Sequence, residues 1–380
     1  MTQASDRRQA LRVGDIVCTA CKRPHPATGF PHRCPRCGGL YDFGQPLRFL
    51  PSDSPPASHR GIGRFRDMLL LPPGAKVISL GEGGTPLLLC QVGEKQIHFK
   101  CEHLNPTGSF KDRGSAALVS ALLAGGVQQA VEDSSGNAGA SFAAYAARAG
   151  IKARVFVPAS ASGPKRMQIE AYGAELVPVP GPRSAAAEAV LQAVEAGAVY
   201  ASHVFQPHGL AGLATIAFEI VEQLGGAAGS VIAPVGQGTL MLGVAEGFGA
   251  LQRAGVIPRM PRLIGVQARA CAPLWAVHTG GASKLEWVME GETLAEGIRV
   301  LRPPRGDAVL GAVERSGGSI IAVEEGEIRE GRAALARLGL YVEATSAVVW
   351  AALRSLGPQD FPAVVILTGS GFKDALKHAA

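Results

Sequence analysis

From residue 75 onward, short apolar runs alternate with alanine-rich stretches of helical length. The apolar runs predict strands at 127–132, 153–157, 175–179, 230–235, 263–267 and 363–367. The stretches between them predict helices at 138–149, 162–172, 184–196 and 240–251. Continuous apolar strands that alternate with helices indicate an α/β fold, with mostly parallel sheet covered on both faces. Because such sheets bind ligands at the carboxyl ends of their strands, the loops there are the candidate sites.

Three of those loops are rich in glycine and small polar residues. The loop at 134–139 (SSGNAG) presents backbone N–H groups and two serine hydroxyls at a helix N-terminus, which suits a carboxylate. The loop at 236–239 (GQGT) allows a phosphate to approach the backbone, although it is neither a Walker loop nor a dinucleotide fingerprint. The third loop, at 368–371 (TGSG), follows the last predicted strand. Each loop alone is also compatible with an ordinary helix cap or turn.

One lysine, Lys111, lies in the run NPTGSFKDRG at 105–114, at a predicted loop-to-helix junction. Ser109 and Asp112 have the Ser-x-x-Asp spacing of a capping box, which places Lys111 in the first helical turn. The positive end of the helix dipole disfavours a second positive charge there, so we expect a lowered amine pKa. A lysine with a lowered pKa can form a Schiff base with a carbonyl. The plain alternative is a surface lysine at a helix start.

Four of the seven cysteines form two C-x-x-C pairs near the N-terminus, namely Cys18, Cys21, Cys34 and Cys37. Two such knuckles complete a tetrahedral zinc site, and with four sulfur ligands the site is expected to be structural. The alternatives are free thiols or a redox pair, and His25 or His32 could replace a cysteine as ligand. Residues 41–43 are expected to finish the ribbon, and 45–73 to form a linker with a short helix near 63–70.

Composition narrows the class of protein. Of the 380 residues, 47% are hydrophobic and 18% charged, which is typical of a globular α/β enzyme. The net charge of +6 comes from scattered basic residues, so we predict no nucleic-acid partner. No run approaches 18 apolar residues and the N-terminus lacks a signal-peptide core, so we expect no membrane span and a cytoplasmic location. The other cysteines, Cys90, Cys101 and Cys271, are expected to be small buried hydrophobes.

The lysine and the loops together require a ligand with a carbonyl, a phosphate and a ring, as pyridoxal phosphate has. The chain resembles the fold-type II pyridoxal-phosphate enzymes, and among them the threonine synthases most. The runs at 81–87 (GEGGTPL) and 105–114 match threonine synthase motifs, and the three glycine loops resemble the family's asparagine, phosphate and C-terminal loops. The resemblance covers about residues 78 to 376, and a cysteine ribbon also occurs in some threonine synthase-like proteins.

This resemblance implies a role for each residue of the site. Lys111 would bind the cofactor covalently and move protons on the substrate carbons. The other cofactor-binding residues would be Asn137 at the ring oxygen, Thr368 at the pyridine nitrogen, and Gly236, Gln237, Gly238 and Thr239 at the phosphate. A neutral hydroxyl at the ring nitrogen does not enforce ring protonation, which suits elimination and replacement chemistry. Ser134 and Ser135 would hold the substrate carboxylate.

The resemblance also implies a domain organisation and an assembly. The fold would comprise a zinc ribbon at 1–45, a large domain formed by 46–120 and 205–380, and a small domain at 121–204. A homodimer is the family expectation.

The activity implied is that of threonine synthase, which converts O-phospho-L-homoserine and water to L-threonine and phosphate. Lys100 and Arg113 are the leading candidates to bind the substrate phosphate, followed by Lys165 and Arg166. The chain departs from the family at Ala214, where a lysine is common, and its run AEGI at 295–298 resembles dehydratases. A serine/threonine dehydratase or another β-elimination or β-replacement enzyme is therefore the alternative, and an inactive zinc-ribbon binding protein is the third.

Overall fold

The structure is a computed structural model that describes residues 16–26, 29–50, 61–161 and 163–374. Several sequence-based predictions fall partly outside these residues. They concern the polar N-terminus, part of the linker at 51–60, and Ser162, the predicted first residue of a helix.

The strands of the described residues form three sheets. A two-stranded antiparallel ribbon pairs β1 with β2, a six-stranded sheet has the order β11-β10-β9-β12-β4-β3, and a four-stranded sheet has the order β7-β6-β5-β8. The strands are β1 Ile16–Cys18, β2 Tyr41–Phe43, β3 Leu87–Val92, β4 Lys95–Lys100, β5 Gln129–Glu132, β6 Lys152–Pro158, β7 Glu175–Val179, β8 Val199–Tyr200, β9 Ser230–Pro234, β10 Arg262–Ala268, β11 Ser319–Val323 and β12 Ala363–Ile366.

Helices cover these sheets, as continuous apolar strands require. They are α1 Lys111–Ala124, α2 Asn137–Ala149, α3 Pro164–Ala171, α4 Arg183–Glu195, α5 His208–Leu224, α6 Thr239–Arg253, α7 Pro273–Gly280, α8 Gly306–Arg315, α9 Glu325–Arg337, α10 Ala344–Ala347 and α11 Val349–Ala352. A short 3-10 helix at Gly61–Met68 corresponds to the one predicted near 63–70. The predicted α/β fold is confirmed, and the domain boundaries stay a prediction.

The larger sheet is parallel except at one edge, where β3 and β4 form an antiparallel hairpin across Gly93. The alternation of apolar and polar residues in KQIHFK, after the apolar run LLLC, carries the signal for this hairpin, which the predicted elements omit. They also omit strand β11 and helices α8 and α9. Helix α5 is buried along most of its length, so it lacks the polar face that marks a helix in a sequence.

Close packing of α1 against α5 fixes where Lys111 lies. A Cβ on Gly212 would stand 2.1 Å from the carbonyl oxygen of Arg113, so only glycine allows this approach. Gly114 and Gly209 likewise face each other across the two helices. Because Lys111 is the first residue of α1, the glycine contacts position its backbone relative to α5.

Candidate active site

Lys111 and the 368–371 loop are brought together by backbone hydrogen bonds. The N–H of Phe110 donates to the carbonyl oxygen of Thr368 at 2.9 Å, and the N–H of Ser370 donates to Gly108 at 2.9 Å. The run that contains the lysine and the loop after β12 therefore form one edge of the site. The predicted placement of Lys111 in the first turn of a helix is confirmed.

The predicted capping box is wrong. The Asp112 carboxylate accepts hydrogen bonds from the backbone N–H of Thr107 at 2.7 Å and from the Ser141 hydroxyl at 2.7 Å. These bonds hold the loop before the lysine against helix α2. The Ser109 hydroxyl is buried and has no partner among the described residues, which leaves it available to a ligand.

The Lys111 amine has a lowered pKa, as predicted, but for a different reason. Burial lowers the pKa to about 7, because a partly dry site disfavours the charged amine. Arg183 lowers it further, while Glu132 and Glu343 oppose the shift. Near neutral pH a large share of the amine is therefore unprotonated, which is the form that attacks a carbonyl.

The 236–239 loop has the features of a phosphate site. Helix α6 begins at Thr239, and the N–H of Leu242, near the end of its first turn, donates to Gly238 at 3.0 Å. The N–H groups at the start of a helix lack acceptors within the helix, so they suit an anion. Gly238 has a φ of +84°, and the Gln237 side-chain oxygen is buried without a partner among the described residues.

The hydroxyl of Thr368 is prepared to donate a hydrogen bond. The Ser346 oxygen accepts from the N–H groups of Thr368 and Gly369, both at 2.9 Å, and lies 2.9 Å from the Thr368 hydroxyl. Because the Ser346 oxygen already accepts two N–H groups, its own proton is directed to the Thr368 oxygen or to the Gly369 carbonyl oxygen, which lies 3.4 Å away. The Thr368 proton is then free for an acceptor such as a pyridine nitrogen. Sequence reasoning missed Ser346, which no motif marks.

Asn137, the first residue of α2, faces a carboxylate that the sequence did not reveal. Its amide nitrogen lies 3.0 Å from both oxygens of Glu343, and its amide oxygen is buried without a described partner. Glu343 is 3% exposed and also pairs with Lys165 at 3.1 Å. A Cβ on Gly369 would stand 2.3 Å from the Glu343 carboxyl carbon, so the carboxylate lies directly against the 368–371 loop.

The 134–139 loop follows β5 directly. Ser134 is buried, and its hydroxyl accepts the N–H of Gly136 at 3.2 Å, while Ser135 is half-buried. A Cβ on Gly139 would stand 1.9 Å from the Ser134 carbonyl oxygen, which explains the glycine at that position. The two hydroxyls thus lie at a helix N-terminus beside Asn137, a suitable place for a carboxylate.

Lys100 and Arg113, predicted to bind a substrate phosphate, instead belong to a buried ion cluster. Arg113 pairs with Glu102 at 2.7 Å and with Glu219 at 2.6 Å, and Lys100 pairs with Glu219 at 2.7 Å. Both cations are 0% exposed. The Lys100 ammonium also donates to the Thr85 carbonyl and to Gln223. Their donors are therefore used inside the protein, and we correct the prediction accordingly.

The same cluster explains the run at 81–87. The backbone N–H of Gly84 donates to Glu219 at 2.7 Å, and that of Gly83 donates to Asn105 at 2.9 Å. Asn105 in turn donates to Glu102 at 2.8 Å. The run therefore ties the hairpin edge to the loop that precedes Lys111, which makes its role architectural.

Two further acidic residues, missed in the sequence, lie at the end of β5. Glu132 is 1% exposed, one of its oxygens lies 3.2 Å from the His203 ring nitrogen, and the other has no described partner. Burial raises the pKa of Glu132 well above its ordinary value and lowers the pKa of His203 well below its own. Asp133 accepts a hydrogen bond from the Tyr200 hydroxyl at 2.7 Å. In the sequence, the feature that could have marked Glu132 and Asp133 is their position directly before Ser134 and Ser135.

The four ribbon cysteines converge, as the C-x-x-C spacing predicts. Their sulfur atoms all lie within 4.8 Å of one another, with Cys18 and Cys37 at 3.5 Å and Cys21 and Cys34 at 3.7 Å. Four sulfurs bound to zinc at about 2.3 Å would stand about 3.8 Å apart, so the geometry fits the ion. The predicted pairing of residues 41–43 in the ribbon is confirmed, and His25 and His32 lie outside the cluster.

Comparisons with known proteins agree with this geometry. Residues 78–369 match the family described as pyridoxal-phosphate dependent enzyme. The chain belongs to this family. It is 34% identical to the threonine synthase of Methanocaldococcus jannaschii over 375 residues, which cover 94% of this chain and 92% of that protein. The family assignment makes pyridoxal phosphate the cofactor.

Solved structures of related enzymes share the fold. A threonine deaminase from T.th. is 29% identical, with a TM-score of 0.64 over 77% of this chain and 93% of that one. Maize serine racemase has a TM-score of 0.65 over 76% of this chain and 89% of that one, and at 21% identity it supports the fold alone. This pyridoxal-phosphate enzyme is thus a lyase related to threonine synthases. None of its described helices has the length and apolarity that crossing a membrane requires.

Proposed function

We propose that the protein is a threonine synthase, which converts O-phospho-L-homoserine and water to L-threonine and phosphate. The observation that carries the proposal is the similarity to a threonine synthase over almost the whole of both chains. It is combined with the position of Lys111 at the start of α1, beside the 368–371 loop. The bound cofactor supplies an electron sink for charge that develops on the substrate carbons.

Different residues of the chain are assigned to cofactor binding, proton transfer and substrate binding. Lys111 would hold the cofactor, and its amine would move protons between the substrate carbons. The loop at 236–239 would bind the cofactor phosphate, Asn137 would contact the ring oxygen, and Thr368 would donate a hydrogen bond to the ring nitrogen. Ser134 and Ser135 hold the substrate carboxylate. The buried Ser109 hydroxyl, which has no partner among the described residues, supports a ligand at this place, because buried polar groups normally have partners.

A doubly charged substrate phosphate needs a cation that is not already neutralised. Arg183 is the best candidate, since its side chain is 50% exposed and its one ion pair within the described part of the chain is a 3.9 Å contact with Asp133. It already influences the pKa of Lys111, which places it within electrostatic reach of the site. Lys165 is the second candidate, because it reaches Glu343 beside Asn137.

The decisive experiment offers the holoenzyme O-phosphohomoserine and, separately, threonine. The proposal expects stoichiometric phosphate and threonine from the first and little 2-oxobutyrate from the second. Arg183→Gln is expected to raise the KM for phosphohomoserine about tenfold or more, because a charged hydrogen bond is lost. Arg354→Gln is the matched control, since Arg354 pairs on the surface with Glu330. Rapid 2-oxobutyrate formation without phosphate release would replace the proposal with the dehydratase.

We also propose a homodimer in the cytoplasm. The edge hairpin supports a dimer, because Leu88 and Leu89 of β3 are 41% and 54% exposed on the last strand of the larger sheet. The cysteines support the location, since a reducing compartment keeps thiolate zinc ligands from forming disulfides. Sedimentation of the holoenzyme at working concentrations tests the dimer.

A further inference from the structure

The cysteine ribbon contacts several parts of the enzyme body, and one of them leads to the active site. This part is the segment 200–208, which joins β8 of the smaller sheet to helix α5. Arg305 links the two, and it is only 3% exposed. Its guanidinium donates to the ribbon at Asp42 and at the Tyr41 carbonyl, at 2.8 and 2.7 Å, and to the segment at the Val204 carbonyl, at 2.8 Å.

Side chains add a second set of contacts between the ribbon and this segment. The His32 ring lies edge-on to Tyr200 and Phe205, with centroids 5.6 and 5.5 Å apart. The Arg33 guanidinium lies 5.0 Å from the centre of the Phe205 ring. The residues His32 and Arg33 directly precede the ligand Cys34, so the metal knuckle and the contact surface are continuous.

The other face of the segment contacts the active site. The Tyr200 hydroxyl holds Asp133, and His203 lies 3.2 Å from Glu132. The carboxylate of Asp133 directly precedes the 134–139 loop, whose serines are assigned to the substrate carboxylate. The segment then continues into α5, whose glycines fix α1 and Lys111.

We propose that the ribbon is a positioning element of the active site, which acts through Arg305 and the 200–208 segment on Glu132, Asp133 and the serine loop. Zinc would order the knuckles, because metal binding and local folding are coupled in such sites. Tyr200 and His203 are then positioning residues, since neither is assigned to cofactor or substrate. The proposal goes beyond the proposed function, because it does not depend on which amino acid is the substrate.

The test is a double-mutant cycle in the holoenzyme between Cys37→Ser in the ribbon and Tyr200→Phe, which keeps the ring against His32 and removes only the hydroxyl that holds Asp133. Zinc content, the visible circular dichroism of the bound cofactor and the KM of the substrate that is turned over are measured for each variant. Each single variant is expected to change the dichroism and raise KM about threefold or more, with a smaller effect on kcat. The double variant is expected to resemble the worse single variant, as residues of one network do.

Controls separate positioning from general destabilisation. Arg36→Ala changes an exposed residue inside the second knuckle and is expected to leave zinc content, dichroism and KM unchanged. If Cys37→Ser does not fold, Asp42→Asn takes its place, because it removes the charge that pairs with Arg305 and leaves all four cysteines intact. Zinc-free protein with unaltered dichroism and KM would overturn the proposal. A double variant whose increase in KM equals the product of the increases in the two single variants would overturn it as well.

Discussion

Gly212 of α5 lies against the backbone of Arg113 in α1, where a Cβ would stand 2.1 Å from the Arg113 carbonyl oxygen. This contact lets two helices approach closely two residues after Lys111. Backbone atoms cannot move aside as a flexible side chain can, so any larger residue must displace one helix. The position of the lysine thus depends on a residue 101 positions later in the chain.

Gly212→Ala is therefore expected to destabilise the protein by about 1–3 kcal/mol, the usual cost of overpacking, and to weaken cofactor binding. Urea unfolding and titration with pyridoxal phosphate measure the two effects. Gly226→Ala is the matched control, because a Cβ there meets nothing within 4 Å. Equal stability of the two variants would show that α1 and α5 adjust without cost.

The covalent role of Lys111 gives a second prediction. Borohydride treatment of the holoenzyme is expected to attach the cofactor to the peptide that contains Lys111. Lys111→Ala is expected to lose about a thousandfold or more in turnover, because one amine both binds the cofactor and transfers protons. The urea concentration at which half of the Lys111→Ala protein is unfolded should stay close to that of the unmodified protein. Labelling of any other lysine would contradict the assignment.

The features of this site that depend on residues close together in the chain could be predicted from the sequence. Lys111 at a helix start and the glycine loops follow from residues close together in the chain, and so does the convergence of four cysteines. The sequence did not predict that Lys100 and Arg113 are neutralised by Glu219, because Glu219 lies more than 100 residues away. The hydrogen bonds between Ser346 and Thr368 and from Asn137 to Glu343 were also missed, because tertiary packing, rather than local spacing, creates them.

The buried ion cluster provides a third prediction. Arg113→Met would leave Glu102 and Glu219 without their main partner in a dry interior. Removing one member of a buried pair costs about 3–5 kcal/mol, so we expect loss of most of the stability. The fraction of the variant that folds and binds cofactor should keep the visible spectrum of the unmodified protein. The reason is that the N–H groups of the Arg113 guanidinium donate to Glu102 and Glu219 rather than toward the cofactor loops. Arg354→Met, which removes surface pairs with Glu327 and Glu330, is the control and should leave the stability almost unchanged.

The lowered pKa of Lys111 gives the last prediction, for protein stripped of cofactor. Only the neutral amine attacks the aldehyde of pyridoxal phosphate, so the rate of cofactor capture should rise with pH around a midpoint of about 7 rather than 10.5. The folded pKa lies below the unfolded one, so the unfolded chain binds more protons between these values. Stability of the cofactor-free protein should therefore increase as pH rises from about 7 toward 10.5. Lys111→Met should remove this increment from the urea-unfolding profile, and a capture midpoint near 10.5 would show that the amine is solvated.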